Sequence, residues 1–130
     1  MGTELTKSQE SKLEAVGKYG FNELIKPLIK EIHLFDTHVA GTYYLEDKSV
    51  LGAVKEGDEL TLLREENPHD RNAILVLNAE KKKLGYVPKR DNIVFARLMN
   101  AGKLLKAKVT RVEPRPSYTR IDLGIYLVDL

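Results

Sequence analysis

Asn67-Pro68-His69-Asp70-Arg71-Asn72-Ala73-Ile74 joins a polar turn directly to an apolar strand. Asn-Pro is a turn-forming pair, and the apolar run 73–77 has the length and composition of a buried strand. A plain connection between strands needs only Gly, Asn or Pro, so the additional charged and imidazole side chains indicate more than a turn. Polar groups placed where a loop enters a rigid strand are typical of functional sites. We therefore predict that this segment both connects two strands and contributes to a site.

Apolar residues alternate with polar ones on both sides of this segment, and a period of two is typical of strands. Strands are predicted at residues 31–40, 59–64, 73–78, 84–87, 104–112 and 118–130, and Tyr43-Tyr44 is interpreted as extended. Pro88 suits the first turn of a helix, so one helix is predicted from there to Gly102, with Lys89 and Arg90 in its first turn. Five or six short strands with one helix favour a small, closed or partly open β-barrel.

The N-terminal residues have a different pattern from the rest of the chain. Apolar residues recur at three- and four-residue spacing between positions 6 and 29, which predicts helices divided near Gly17 and Gly20. We expect this segment to dock on its own domain, with binding to a partner as the alternative. The predicted organisation is therefore a helical extension, residues 1–30, followed by a β-barrel domain, residues 31–130.

Composition narrows the classes of function. The 130 residues include no cysteine, which removes disulfides, thiol catalysis and thiolate metal sites. Neither a signal peptide nor an apolar run of membrane-spanning length is apparent, so we expect a cytoplasmic protein with no membrane association. Residues 1–80 hold 9 Lys and Arg against 15 Asp and Glu, whereas residues 81–130 hold 12 against 4. This asymmetry predicts a basic face for an anionic partner, with a solvated lysine-rich surface as the alternative.

Enzymatic and metal-dependent readings have little support. Strand alternation places His33 on the face opposite Asp36 and His38, so no metal site is expected. His69-Asp70 is a candidate acid–base pair for a small hydrolase, but neighbouring side chains seldom point at one another. No serine motif or phosphate-binding loop accompanies them. We predict a protein without catalytic activity and without a cofactor.

Aromatic and basic residues favour nucleic acid. One of two adjacent strand tyrosines, Tyr43 or Tyr44, must face outward, where its ring can stack on a base. The alternative is that Tyr44 belongs to the core and Tyr43 makes a surface contact across strands. Candidate phosphate contacts are Lys81, Lys82, Lys83, Lys89, Arg90 and Arg97.

Three blocks resemble the HIRAN domain family, modules that precede the motor in some helicase-like DNA repair proteins. They are residues 39–44 (Val-Ala-Gly-Thr-Tyr-Tyr), residues 63–76 around the Asn-Pro turn, and residues 84–89 (Leu-Gly-Tyr-Val-Pro-Lys). The resemblance covers residues 32–130. It implies an OB-like or SH3-like barrel that binds single-stranded DNA at a free 3′ end.

Roles follow from the resemblance residue by residue. It implies that Tyr43 stacks on a base, that Asp70 accepts a hydrogen bond from the 3′-hydroxyl, and that Lys89 meets a phosphate. The aromatic pair and the Asn-Pro turn form the pocket, and the full set is Tyr43, Tyr44, Asn67, His69, Asp70, Tyr86, Lys89 and Tyr118. The chain departs from the family where His69 replaces a common Tyr, Thr42 a basic residue and Tyr86 a His.

Two functions remain open. The first is a DNA-binding domain with a preference for the 3′-hydroxyl end, serving DNA repair or processing with a helicase or nuclease as a candidate partner. The second is a protein-interaction module that keeps the barrel without binding DNA.

Overall fold

The computed structural model describes residues 29–129, whose regular elements are six strands, two α-helices and one short 3₁₀ helix. In chain order they are β1 Lys30–His38, the 3₁₀ helix Thr42–Tyr44, α1 Ser49–Gly52, β2 Glu59–Arg64, β3 Ile74–Leu77, β4 Lys83–Tyr86, α2 Asn92–Asn100, β5 Leu105–Pro114 and β6 Thr119–Asp129. The predicted strands are confirmed, and α1 is an element that the sequence did not predict. The predicted helical extension, apart from its last two residues, falls outside the described residues.

The six strands form one sheet in the order β1-β6-β5-β2-β3-β4. Neighbouring strands in its central part run antiparallel, as the pairings of β2 with β3 and β5, and of β5 with β6, show. The chain just beyond β1 then meets the opposite edge: the Ala40 amide donates to the Tyr86 carbonyl at 2.7 Å, and the Tyr86 amide donates to the Ala40 carbonyl at 2.9 Å. The two edges of the sheet are thereby joined. The mainly β fold with one main helix is confirmed and is consistent with an OB-like architecture.

This junction depends on Gly85. A Cβ atom at position 85 would lie 2.3 Å from the Ala40 carbonyl oxygen and 2.7 Å from a methyl group of Val39. Both distances are shorter than non-bonded atoms tolerate, so only glycine allows the backbones to approach this closely. The glycine of the Leu84-Gly85-Tyr86 block is therefore explained by this close approach of two backbones.

The core lies on the inner face of the closed sheet. Alternate residues of the strands are fully buried, among them Ile74 and Val76 of β3 and Ile121, Leu123 and Ile125 of β6. Each such side chain contributes about 1.5–3 kcal/mol relative to exposure. The helix α2 adds Phe95 and Ala96 to the same cluster. Within residues 29–129, no helix combines the length and apolarity that crossing a bilayer requires.

The start of α2 differs from the prediction. The helix begins at Asn92, and residues 88–91 form a turn closed by the Asp91 amide donating to the Pro88 carbonyl at 2.9 Å. Lys89 and Arg90 therefore precede the helix and do not occupy its first turn. The Asp91 side chain makes no hydrogen bond to the start of the helix, and its carboxylate accepts a hydrogen bond from the Thr37 hydroxyl at 2.8 Å.

The aromatic pair also differs from the prediction. Tyr43 and Tyr44 belong to a 3₁₀ helix and not to a strand. Gly41, with φ of 79°, turns the chain immediately before it, and the buried Thr42 anchors it. A 3₁₀ turn does not place successive residues on opposite faces, so the strand rule that puts one ring inward is wrong here. Both rings are exposed, 57% for Tyr43 and 84% for Tyr44.

A third difference concerns the histidine of β1. His33 and Asp36 were expected on opposite faces, but His33 Nε2 lies 2.7 Å from Asp36 Oδ1. Gly124 of β6 explains the room for this contact, because a Cβ atom there would lie 3.3 Å from Asp36 Oδ1 and 3.4 Å from the His33 ring. Among residues 29–129, no group of three or more ligating side chains is placed to hold a metal ion.

Candidate nucleic-acid interface

The polar turn between β2 and β3 is shaped by its own side chains. Asn67 Oδ1 accepts the His69 amide at 2.8 Å, and Asp70 Oδ1 accepts the Asn72 amide at 2.9 Å. Both contacts are side-chain turns of the kind that Asn and Asp favour. These two hydrogen bonds satisfy backbone amides that have no partner in a neighbouring strand. They also fix the backbone that carries the exposed His69 ring.

Arg64, at the end of β2, fixes the far side of the same turn. Its guanidinium donates to the carbonyls of Ala73 and Arg71, the second at 2.8 Å. One fork-shaped group thereby binds two points of the backbone, which stiffens the segment that carries Asp70.

The carboxylate of Asp70 has a second partner in the helix α2. Asn92, only 2% exposed, donates its amide nitrogen to Asp70 Oδ2 at 2.8 Å. A carboxylate has about four acceptor positions, and the two hydrogen bonds from Asn72 and Asn92 occupy two of them. The half-buried carboxylate is oriented by the protein and keeps capacity to accept a hydrogen bond from a ligand hydroxyl.

Glu65 connects this turn to Tyr86. Its Oε1 accepts the Tyr86 hydroxyl at 2.9 Å and the Asn67 amide nitrogen at 3.2 Å. The Tyr86 backbone in turn pairs with Ala40, and a Cβ atom at Gly41 would lie 3.8 Å from the Tyr86 ring. Tyr86 therefore lies between the polar turn and the segment that carries the aromatic pair.

The tyrosines form the other half of the candidate interface. The rings of Tyr43 and Tyr44 meet edge to face with centroids 5.4 Å apart. The Thr42 hydroxyl donates to the Thr119 carbonyl at 3.3 Å, which places the aromatic pair beside the start of β6 and the preceding, exposed Tyr118. Exposed aromatic rings of this kind provide stacking faces for bases.

A cation accompanies three of these rings. Lys48 Nζ lies 4.6 Å from the ring centre of Tyr43, Lys83 Nζ lies 4.5 Å from that of Tyr86, and the Arg115 guanidinium lies 5.9 Å from that of Tyr118. Paired rings and cations suit a chain of bases and phosphates.

Lys89 supplies a cation on the other side of the site, where its Nζ donates to the His69 carbonyl at 3.3 Å. Glu65 and Asp70 add two carboxylates to the same region. A ligand with both a hydroxyl group and phosphates suits this mixture of acidic and basic groups.

The eight residues predicted from the sequence thus form two groups. Asn67, His69, Asp70 and Lys89 are joined by direct contacts, and Tyr86 joins them through Glu65. Tyr43, Tyr44 and Tyr118 form the second group, adjacent to Tyr86 through the strand junction.

Four residues of this arrangement were not recognised from the sequence: Lys48, Glu65, Asn92 and Arg115. Asn92 is buried at 2% exposure, whereas Ile93 and Val94, which the helix pattern placed on its apolar face, are exposed. Glu65 depends on a contact with Tyr86, 21 residues further along the chain, whereas Lys48 and Arg115 lie close in sequence to the tyrosines that they contact.

Comparison with known proteins identifies the family of the chain. The HIRAN domain model matches residues 32–128, which is most of the chain. The chain belongs to the HIRAN domain family. No curated protein matches the chain significantly.

Three solved structures illustrate the fold that this chain shares with other proteins. A crystal structure of a protein from Lactobacillus plantarum is 28% identical, with a TM-score of 0.73, and covers 78% of this chain and 99% of that one. The crystal structure of the HIRAN domain of human HLTF is 22% identical, with a TM-score of 0.61, covering 75% and 78%. An NMR structure of the HLTF HIRAN domain in its DNA-bound conformation is 23% identical, with a TM-score of 0.54, covering 76% and 79%.

Proposed function

We propose that this HIRAN domain binds single-stranded DNA and prefers a free 3′-hydroxyl end. The observation that carries the proposal is the oriented carboxylate of Asp70, which is held by Asn72 and Asn92 and keeps acceptor capacity. A carboxylate accepts a hydrogen bond from a hydroxyl group and repels a phosphate, so it distinguishes a free 3′ end from a phosphorylated one. Membership of a family in which the HLTF domain has a DNA-bound conformation supports the class of ligand.

In this proposal the aromatic pair stacks on the terminal bases. Lys48 already covers one face of Tyr43, so a base takes the other face or displaces the lysine. Lys89 contacts a phosphate near the end, and Tyr86 and His69 line the pocket between them. The domain captures the end without cutting it, so a helicase or nuclease partner would perform the repair or processing step.

Fluorescence anisotropy with two matched oligonucleotides tests the proposal. A 5′-labelled thymidine decamer ending in a 3′-hydroxyl is compared with one ending in a 3′-phosphate, each at 50 and 200 mM salt. We expect tighter binding to the hydroxyl end and tighter binding at low salt. Equal affinity for the two ends would refute the end preference. Failure to bind either strand at 50 mM salt would refute nucleic-acid binding and favour the protein-interaction alternative.

Two variants separate the roles of the two groups. Tyr43→Ala removes a stacking face worth about 1–3 kcal/mol, which is about 5- to 150-fold in affinity. Tyr126→Ala is the matched control, since this ring packs against His33 and Lys108 on β1 and β5. Lys89→Gln should weaken both strands equally and lower the salt slope by about 0.7.

A further inference from the structure

A groove separate from the candidate interface lies between the polar turn and the helix α2. It has a volume of about 530 Å³ and is lined by Arg71, Asn72, Ile93, Arg97 and Asn100. None of these five residues is acidic. The groove therefore presents guanidinium and amide donors beside one apolar side chain.

The two arginines of this groove differ from the other exposed arginines of the domain. Arginine ion pairs within residues 29–129 involve Arg90, Arg111, Arg115 and Arg120. Arg71 and Arg97 are exposed and form no such pair in the described part of the chain. The negative end of the α2 dipole accounts for a cation at Arg97 in the last turn, but not for Arg71 across the groove. Two cations on one groove repel each other unless an anion joins them.

Arg64 increases the positive charge and orients the groove. Its Nε donates to Asn100 Oδ1 at 3.1 Å, which leaves the amide nitrogen of Asn100 as the group available for a ligand. The same guanidinium binds the Arg71 carbonyl, so the backbone that carries the Arg71 side chain is fixed. Two guanidinium groups thus line the groove, and a third behind it fixes the Arg71 backbone and the Asn100 side chain.

The groove shares its wall with the proposed end pocket. The Asn72 amide binds Asp70, and Ile93 directly follows Asn92, the other partner of that carboxylate. Ile93 is 43% exposed and offers an apolar surface beside the guanidinium groups. A nucleotide, with a phosphate and an apolar base or sugar face, matches this combination, and guanidinium groups bind phosphate oxygens in pairs.

We propose that the groove between Arg71 and Arg97 binds a phosphodiester group of the DNA strand whose 3′ end occupies the Asp70 pocket. The proposal rests on the proposed function and adds a second contact region to it. The strand passes the polar turn and meets the arginines on the helix side, so affinity depends on a length of DNA greater than the terminal nucleotides.

The double substitution Arg71→Gln with Arg97→Gln tests this contact by anisotropy with a 5′-labelled thymidine dodecamer ending in a 3′-hydroxyl. Losing the contact with one phosphodiester group should lower the salt slope by about 0.7, so the loss of affinity at 50 mM salt exceeds that at 200 mM by about 2.6-fold. Lys55→Gln with Arg111→Gln changes the net charge equally and should leave the slope near that of the unmodified protein. The preference for a 3′-hydroxyl should persist in the double variant, because Asp70 is unchanged.

The outcomes separate this inference from the function on which it rests. If the unmodified protein binds DNA and the double variant keeps its affinity and salt slope, the groove inference fails and the end-binding function stands. If the unmodified protein binds no DNA, both fail. An octaglutamate peptide is the second probe: if the double variant loses the peptide while retaining DNA, the groove is a protein-binding surface and the inference is overturned. Thermal denaturation of each variant shows that the fold is intact.

Discussion

Replacing Asp70 by asparagine removes one charge while keeping the shape of the side chain. The new amide oxygen still accepts the Asn72 amide, and a rotation of the Asn92 amide presents an acceptor to the new amide nitrogen. The turn should therefore keep its conformation. We expect the thermal midpoint to change little, whereas truncation to alanine would also remove both hydrogen bonds.

The effect on binding has two parts. A hydrogen bond between a hydroxyl group and a charged acceptor contributes about 1.5–3 kcal/mol, which is about 10- to 150-fold in affinity for a 3′-hydroxyl end. Repulsion between the carboxylate and a 3′-phosphate about 4 Å away costs about 1 kcal/mol in water-like surroundings and about 4 kcal/mol at an effective dielectric constant of 20. Asp70→Asn abolishes the repulsion and weakens the hydrogen bond to that of a neutral acceptor, so the affinity ratio between the two ends should fall by about tenfold or more.

Anisotropy titration of both decamers measures that ratio directly. Glu66→Gln is the matched control, because it removes one exposed carboxylate from the same connection. The control should retain the end preference of the unmodified protein. A ratio that stays unchanged in Asp70→Asn would refute the role of this carboxylate, and an equal fall in both variants would attribute the preference to general charge.

Three further predictions concern the fold, the pocket and pH. Gly85→Ala forces a Cβ atom against the Ala40 carbonyl, and should destabilise the domain by about 3 kcal/mol and lower its thermal midpoint by more than about 10 °C. Gly52→Ala, where a Cβ atom meets nothing within 4 Å, should be neutral, and similar midpoints for the two would contradict the close approach. His69→Tyr enlarges the stacking face and should tighten DNA binding by about 2- to 5-fold by anisotropy, whereas weaker binding would show that the ring does not stack. Burial, reinforced by nearby arginine charges, lowers the pKa of His38 below its usual value of 6.5. The unfolded state therefore binds the His38 proton more tightly than the folded state. The free energy of unfolding should accordingly fall as pH decreases below 6.5. Urea denaturation at pH 7.5 and pH 5.0 measures this loss, and His38→Gln should reduce it; an equal loss in both proteins would assign it to other groups.

Much of the fold followed from local pattern. Alternation predicted the strands because a strand with one buried face has an apolar residue at every second position. The Asn-Pro turn was recognisable because its side chains bond their own backbone, so the information lies within a few residues. The resemblance to HIRAN domains rested on the same short blocks, and family membership is confirmed.

Local rules were wrong where contacts from elsewhere determined the conformation. Tyr43 and Tyr44 were assigned to a strand, but Gly41 and the buried Thr42 place them in a 3₁₀ helix with both rings exposed. His33 was placed away from Asp36 because strand alternation does not reveal a glycine on the neighbouring strand.

The sequence by itself determined the class of fold, the family and the identity of the Asp70 turn, because each depends on patterns within one segment. Only the tertiary structure decided how that carboxylate is held, since Asn92 lies on a helix 22 residues further along the chain. It also brought Glu65 to Tyr86 and Arg71 to Arg97. Packing of the chain brings these residues together, and the physical reason is that a hydrogen bond or a groove depends on distance in space, which no local period in the sequence specifies.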